Sequence, residues 1–246
     1  MIGKTKSQEY YLQLNGVCLD FFPNGRRKSA KNYENNKLKG DIVEYFPNGK
    51  AYLTGKYDDS SKLIVNECRD SMGKVLAQNG GGHFVKYDGA FRQVLSEGEI
   101  VNGRENGEWH GCLFDTIKFT CTYVNGIGKN GVSHSVNGKE YIFAKAEDEP
   151  GFKGGFERFY RFLGREIHYP KVAKELNIQG KVFLTFVVGK EGSLTDLRVI
   201  RGIGGGCDEE ALRVLKLSPK WIPGKLYGVP VRVQYTMPIT FTLSSE

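Results

Sequence analysis

Apolar positions along the chain follow two periods, and each predicts its own kind of element. In the first half, aromatic runs reach an Asn-Gly or Asp-Gly pair and return, the pattern of a β-hairpin. Glu44-Tyr45-Phe46 and Lys50-Ala51-Tyr52-Leu53 make the arms of one such hairpin. Between them Asn48-Gly49 supplies the positive φ values of a two-residue turn. In the last third a helical period enters. Phe156, Phe159, Tyr160 and Leu163 fall at i, i+3, i+4 and i+7, which predicts a helix with one apolar face and Gly164 as its stop. A short helix over Lys171–Leu176 follows Tyr169-Pro170, because proline is preset for a first turn. Lys181–Val188 then alternates as a strand, Gly189–Gly192 turns, and Leu194–Arg201 returns antiparallel. Asp208 caps a helix running to about Lys216, with Ala211, Leu212 and Leu215 inward, and Ser218-Pro219 ends it. Trp221 is expected to pack on the sheet. In the last extended segment, Val229–Leu243, Val231, Val233 and Tyr235 alternate with Arg232, Gln234 and Thr236. Pro238 has no N–H to give and suits an edge strand.

The hairpins of the first half repeat. Phe22-Pro23-Asn24-Gly25 returns 24 residues later as Phe46-Pro47-Asn48-Gly49, and a further step of the same length reaches Met72-Gly73-Lys74. Weaker echoes follow at Tyr87-Asp88-Gly89, Val124-Asn125-Gly126 and Val136-Asn137-Gly138. A fixed period of this size is the mark of a repeat architecture, in which stacked hairpins share a core that one hairpin lacks. Residues 9–145 therefore read as an elongated or rolled β-array. With phrases such as Gly98-Glu99-Ile100-Val101-Asn102-Gly103 and Gly107-Glu108-Trp109-His110-Gly111, this segment resembles the MORN and YwqK-like antitoxin repeats. The charged stretch 146–151, ending in Pro150-Gly151, is the expected linker. The domains are then 1–145, a β-hairpin repeat domain, and 152–246, a small α+β domain with two main helical segments on a three-stranded antiparallel sheet.

Over the last 80 or so residues stand, in order, Tyr169-Pro170, Gln179-Gly180-Lys181-Val182, Gly192-Ser193-Leu194, Asp208-Glu209-Glu210-Ala211, Ser218-Pro219-Lys220-Trp221-Ile222-Pro223-Gly224, Pro230-Val231 and Pro238-Ile239-Thr240-Phe241. With these motifs the segment resembles the C-terminal domain of TonB energy transducers. That family is non-catalytic. The resemblance implies that the last strand receives the short TonB box of an outer-membrane transporter by strand addition, beside the Tyr-Pro region. Carried onto this chain, it points to Val231, Arg232, Val233, Gln234 and Tyr235, with His168, Tyr169 and Pro170 nearby and Arg232 holding an acidic peptide. It also implies a periplasmic location and attachment to inner-membrane motor proteins. No run of about 18 apolar residues supplies an anchor and no signal segment opens the chain, so any anchor is expected to be missing or removed.

Charge and candidate chemistry adjust this picture little. The net charge of +7 is uneven: residues 1–150 carry +1 and residues 151–246 carry +6. A basic last third suits an acidic partner segment, and no nucleic-acid motif accompanies it. The histidines, His83, His110, His134 and His168, show no metal-binding interval, so no metal or cofactor is expected. Gly202–Gly206 is not a phosphate loop, since no Lys-Ser/Thr follows. Cys207 stands near a helix start but lacks a base. The five cysteines read as buried thiols, with a bridge between Cys112 and Cys121 across a hairpin as the alternative. Two functions remain in view. One is a TonB-type protein that binds transporter segments, whose exposed last strand could also pair with a second copy. The other is a repeat scaffold or antitoxin-like binder, with the C-terminal domain as adaptor.

Overall fold

A computed structural model describes residues 13–243, so the outermost residues of both expected domains lie outside the described residues. Contacts divide the chain into two units. One holds the chain up to Lys129 with His134–Lys139; the other holds Asn130–Ser133 with Glu140 onward.

The first unit is a meander. Its strands are β1 (Gly16–Phe21), β2 (Arg27–Glu34), β3 (Lys37–Tyr45), β4 (Ala51–Tyr57), β5 (Leu63–Arg69) and β6 (Val75–Gln78). They continue as β7 (Gly81–Tyr87), β8 (Val94–Val101), β9 (Arg104–Leu113), β10 (Ile117–Val124) and β11 (Ile127–Ser135), the last of which also reaches into the second unit. Each strand pairs with the next in chain order. The expected hairpin around Asn48-Gly49 is β3–β4, with Glu44 opposite Leu53.

The turns are of two kinds, which corrects the expectation of one. At Phe22-Pro23-Asn24-Gly25, Gly25 N donates to Phe22 O (2.9 Å) and Phe22 N to Arg26 O (2.8 Å). Only Gly25 of that loop has positive φ, at 79°. This is a three-residue loop closing on a glycine bulge, as proline at the second position favours. Phe46–Gly49 repeats it. Two-residue turns with both φ values positive occur instead at Asn35-Asn36, Asn79-Gly80, Asn102-Gly103 and Asn125-Gly126. In a meander, successive turns lie at opposite ends, so the proline-containing turns share one end. There each braces the next turn at that end: Asn24 Nδ2 donates to Pro47 O (3.0 Å), and in the second, Asn48 Nδ2 donates to Ser71 O (2.9 Å) and Lys50 Nζ to Met72 O (2.8 Å) of the proline-free turn that follows.

Inside the sheet runs a continuous aromatic spine. Ring centroids are 5.2 Å apart for Phe46–Tyr52, 6.3 Å for Tyr52–Phe84, 6.1 Å for Phe84–Trp109 and 5.7 Å for Trp109–Tyr123. Tyr52 Oη donates to Val85 O across three strands (2.5 Å), so the sheet curls on itself. Gly98, opposite Trp109, makes room for the indole: a Cβ there would lie 2.5 Å from the ring. The Cys112–Cys121 bridge is ruled out by register, since Cys112 faces Lys118 and Cys121 faces Trp109; all five cysteines are free thiols.

The second unit contains β12 (Glu140–Phe143), β13 (Glu147–Asp148), α1 (Gly155–Glu166), α2 (Lys171–Glu175), β14 (Gly180–Val188), β15 (Leu194–Arg201), α3 (Cys207–Lys216), β16 (Lys225–Leu226), β17 (Val229–Pro230) and β18 (Val233–Phe241). Its main sheet has the order β15-β14-β18, antiparallel throughout. Val182, Leu184, Phe186 and Val188 point into a core closed by Phe159, Phe162, Ala211, Val214 and Leu215. Trp221 packs there as expected, 5.3 Å from Phe186 and 6.0 Å from Tyr235.

Several local expectations are corrected here. Stretch 146–151 is not a free linker: Glu147–Asp148 pair with Leu226–Lys225, and Gly151 N donates to Ile222 O (3.0 Å). Helix α1 runs through Gly164 and buries Phe159, Phe162 and Leu163, whereas Phe156 and Tyr160 are 57% and 63% exposed. Phe152 and Trp221 contact the Phe159 side and select that stripe. Asp208 sits inside the first turn of α3, and its carboxylate accepts Ile203 N (2.9 Å), so it ties the glycine loop to the helix rather than capping it.

Candidate partner-binding edge

In the β15-β14-β18 sheet the last strand is an edge, and hydrogen-bond parity tells which of its groups are free. Gly189 N donates to Ser193 O (2.8 Å) at the β14–β15 turn. Odd-numbered residues of β14 therefore turn their backbone toward β15, and even-numbered ones toward β18. The register shifts fall on β15, which takes two steps between Arg201 and Val199 for one on β14 and three between Arg198 and Thr195 for two, so the β14 parity is unbroken. Val188 pairs with Val233 and Phe186 with Tyr235, in unbroken register to Phe241. On β18, then, the odd-numbered residues bond inward. Gln234, Thr236, Pro238 and Thr240 point outward. Pro238 lacks an N–H, and an outward position is where an edge strand tolerates it. The outward N–H row is thus Gln234, Thr236, a gap, and Thr240.

Against this frame the expected site residues separate. Val231 lies before β18 and its N–H goes to Gly224 O (2.9 Å). Val233 and Tyr235 direct their backbone to β14, and the Tyr235 ring packs on Phe186 and Trp221. Gln234 is the member with an outward backbone; its side chain lies on the open sheet face, 3.2 Å from Thr185 Oγ1. Arg232 reaches Asp196 at 3.4 Å, with both side chains exposed, a contact of roughly 0–1 kcal/mol that a ligand displaces easily. Thr236 and Thr240 belong to the outward row and were not singled out by sequence. Pro238 was the available signal, because it fixes the parity of its neighbours.

His168, Tyr169 and Pro170 stand at the other end of the strand. The Tyr169 ring meets Phe241 edge-on at 5.7 Å, and its hydroxyl donates to Ile178 O (2.6 Å). From Val233 to Phe241 the strand covers roughly 27 Å, so Tyr169 is not beside Val231, which corrects the expected grouping. Pro170 precedes α2 as its N-cap. His168 N donates to Glu210 Oε1 (2.6 Å), and Arg213 Nη2 holds the same carboxylate at 2.8 Å. Hydrogen bonds from Arg213, then from His168 N, keep the Glu210 carboxyl below the usual glutamate range against the opposing effect of burial. These residues lock the α1–α2 junction onto α3.

Cys207 is buried, and burial followed by Asp208 and Glu209 pushes its thiol up, away from the reactive thiolate. Among the described residues no three His, Cys, Asp or Glu side chains gather as a metal site, and no helix is long and apolar enough to cross a membrane.

No curated protein and no solved structure matches the chain. Residues 165–243, about a third of it, match the family model described as Gram-negative bacterial TonB protein C-terminal. Over that span, from the end of α1 through β18, the chain is similar to a TonB C-terminal domain.

Proposed function

We propose that the protein binds an extended segment of an outer-membrane transporter, of the TonB-box kind, by adding it as a strand to β18. The observation that carries this reading is an edge strand of nine residues with an outward backbone at Gln234 and Thr236, inside a segment similar to a TonB C-terminal domain. A peptide there gains up to four backbone hydrogen bonds from these two residues, each worth roughly 0.5–1.5 kcal/mol net. Side chains at alternate positions then supply selection. Arg232, weakly held by Asp196, is free to turn to an acidic residue of the peptide.

In this reading the protein works in the periplasm, in transport across the outer membrane, and carries out no chemistry. The β-array serves as spacer, standing where other transducers have a linker. Coupling to inner-membrane motor proteins would need an attachment outside the described residues. The test is an amide-shift titration with an acidic TonB-box-like peptide at low and moderate salt. Shifts centred on Gln234–Thr236 support strand addition. An unshifted β18 across several such peptides refutes it, and capture of a partner that survives removal of 151–246 moves the binding function to the array.

A further inference from the structure

A second feature of the C-terminal unit lies apart from the strand edge. Arg158, Arg161 and Arg165 fall at i, i+3 and i+7 of α1 and so occupy one flank of the helix. With Lys153 they line a cleft of about 620 Å³ whose apolar part is Phe152, Phe162 and Pro219. Phe152 and Phe162 are buried and 5.7 Å apart, and Trp221 stands 6.0 Å from Phe152. Of the nine arginines outside the cleft, four are matched: Arg69 with Glu67, Arg104 with Asp58, Arg213 with Glu210, Arg232 with Asp196. The four cations of the cleft have no carboxylate partner among the described residues. Lys153, Arg158 and Arg161 also precede the span that matches the TonB C-terminal family.

Four like charges beside one concave apolar surface make a local positive potential that a ligand of opposite charge relieves. The spacing narrows the choice of ligand. Along the helix the arginines are roughly 4.5 and 6 Å apart in rise, a string rather than a converging fork. Carboxylates on alternate residues of an extended peptide repeat at roughly 6.8 Å, which fits such a string. A flat lipid surface fits poorly. The exposed aromatics Phe156 and Tyr160 sit roughly 150° around the helix from the arginines, so cations and aromatics cannot meet one plane.

We propose that this cleft is a second binding site, for an acidic peptide segment with carboxylates at alternate positions and apolar side chains between them. It reads side chains, whereas β18 offers backbone. The test uses the full chain and a labelled Glu-Val-Glu-Leu-Glu peptide, with Lys-Val-Lys-Leu-Lys as control, followed by fluorescence anisotropy. The double variant Arg161→Glu with Arg165→Glu changes only exposed side chains and should weaken binding by about tenfold or more at 0.1 M salt. Arg158→Ala should weaken it less. Thr236→Pro, which blocks the strand edge, should leave it intact. Binding that ignores the double reversal overturns the proposal. So does binding lost in Thr236→Pro, which would assign the peptide to β18. Capture by phosphatidylglycerol vesicles through the same arginines, with no affinity for the acidic peptide, overturns it in favour of lipid.

Discussion

Replacing Pro238 by threonine should make the C-terminal edge more adhesive without disturbing the fold. The outward N–H row of β18 now reads Gln234, Thr236, gap, Thr240, so the longest unbroken run is two donors about 6.8 Å apart. Threonine at 238 makes four in a row over about 20 Å. One restored backbone bond is worth roughly 0.5–1.5 kcal/mol, so an added peptide strand long enough to pair past Thr236 should bind roughly 2- to 10-fold tighter. In a two-fold pairing of two β18 edges the gain occurs twice, roughly 1–3 kcal/mol, or roughly 5- to 150-fold in association. Losing the proline frees the unfolded chain and lowers stability by only about 0.4–1 kcal/mol. Sedimentation velocity over a dilution series reads self-association, and anisotropy reads peptide affinity. Two further variants check the parity beneath the argument. Thr236→Pro removes an outward N–H and should weaken binding of a TonB-box-like peptide at β18 by roughly 2- to 10-fold or more in a folded protein. Met237→Pro removes an N–H bonded to β14 and should cost about 3 kcal/mol or more. Equal destabilisation by these two prolines, or a Pro238→Thr protein with unchanged association and affinity, would refute the reasoning.

Three other outcomes are expected. Gly192→Ala should lower stability by about 2–4 kcal/mol in urea titration, because its Cβ would stand 1.9 Å from Trp221 O, its φ is +79°, and Trp221 N donates to its carbonyl at 2.8 Å. Gly98→Ala should cost about 1–3 kcal/mol and shift tryptophan emission by displacing Trp109, while Gly107→Ala, with φ +74° and open space, should cost about 1 kcal/mol and leave emission unchanged. Glu210→Gln should flatten the acid limb of the stability profile. Because its folded pKa is depressed, Glu210 stabilises above its unfolded value, near about 4.3, and that stability is lost as pH falls through the lower folded value; thermal melts from pH 6 to pH 2 check it.

What the sequence made legible, and what it did not, follows from how many residues decide each feature. Strands β14, β15 and β18 could be read from alternation, because their inward residues meet one continuous core. The apolar face of α1 could not. Phe156-Tyr160 and Phe159-Phe162-Leu163 are both stripes of helical spacing, and the packing of Phe152 and the distant Trp221 on Phe159 chooses between them. The Asn-Gly pairs were identical as dipeptides yet fold in two ways. Pro23 and Pro47 fix a negative φ at the second turn position and leave positive φ to the glycine alone; Asn102-Gly103 has no such constraint. The separation of Tyr169 from Val231 was hidden as well, since adjacency to a strand says nothing about which end is approached.

The proline of β18 joins these threads. An edge strand that pairs with everything is a hazard, and proline at an outward position is one means of blunting it. If the edge served only as the boundary of a domain, blunting anywhere along it would do. Here the break comes at Pro238, toward the Phe241 end, where Tyr169 already meets the sheet. The two intact outward residues lie toward the other end, next to Arg232 and its displaceable contact with Asp196. An incoming strand of random register would lose a bond at 238. One that ends its pairing at Thr236 would lose none. In the strand-addition reading the edge would therefore favour short segments seated at the Gln234–Thr236 end, the size of ligand that a flexible transporter segment would present.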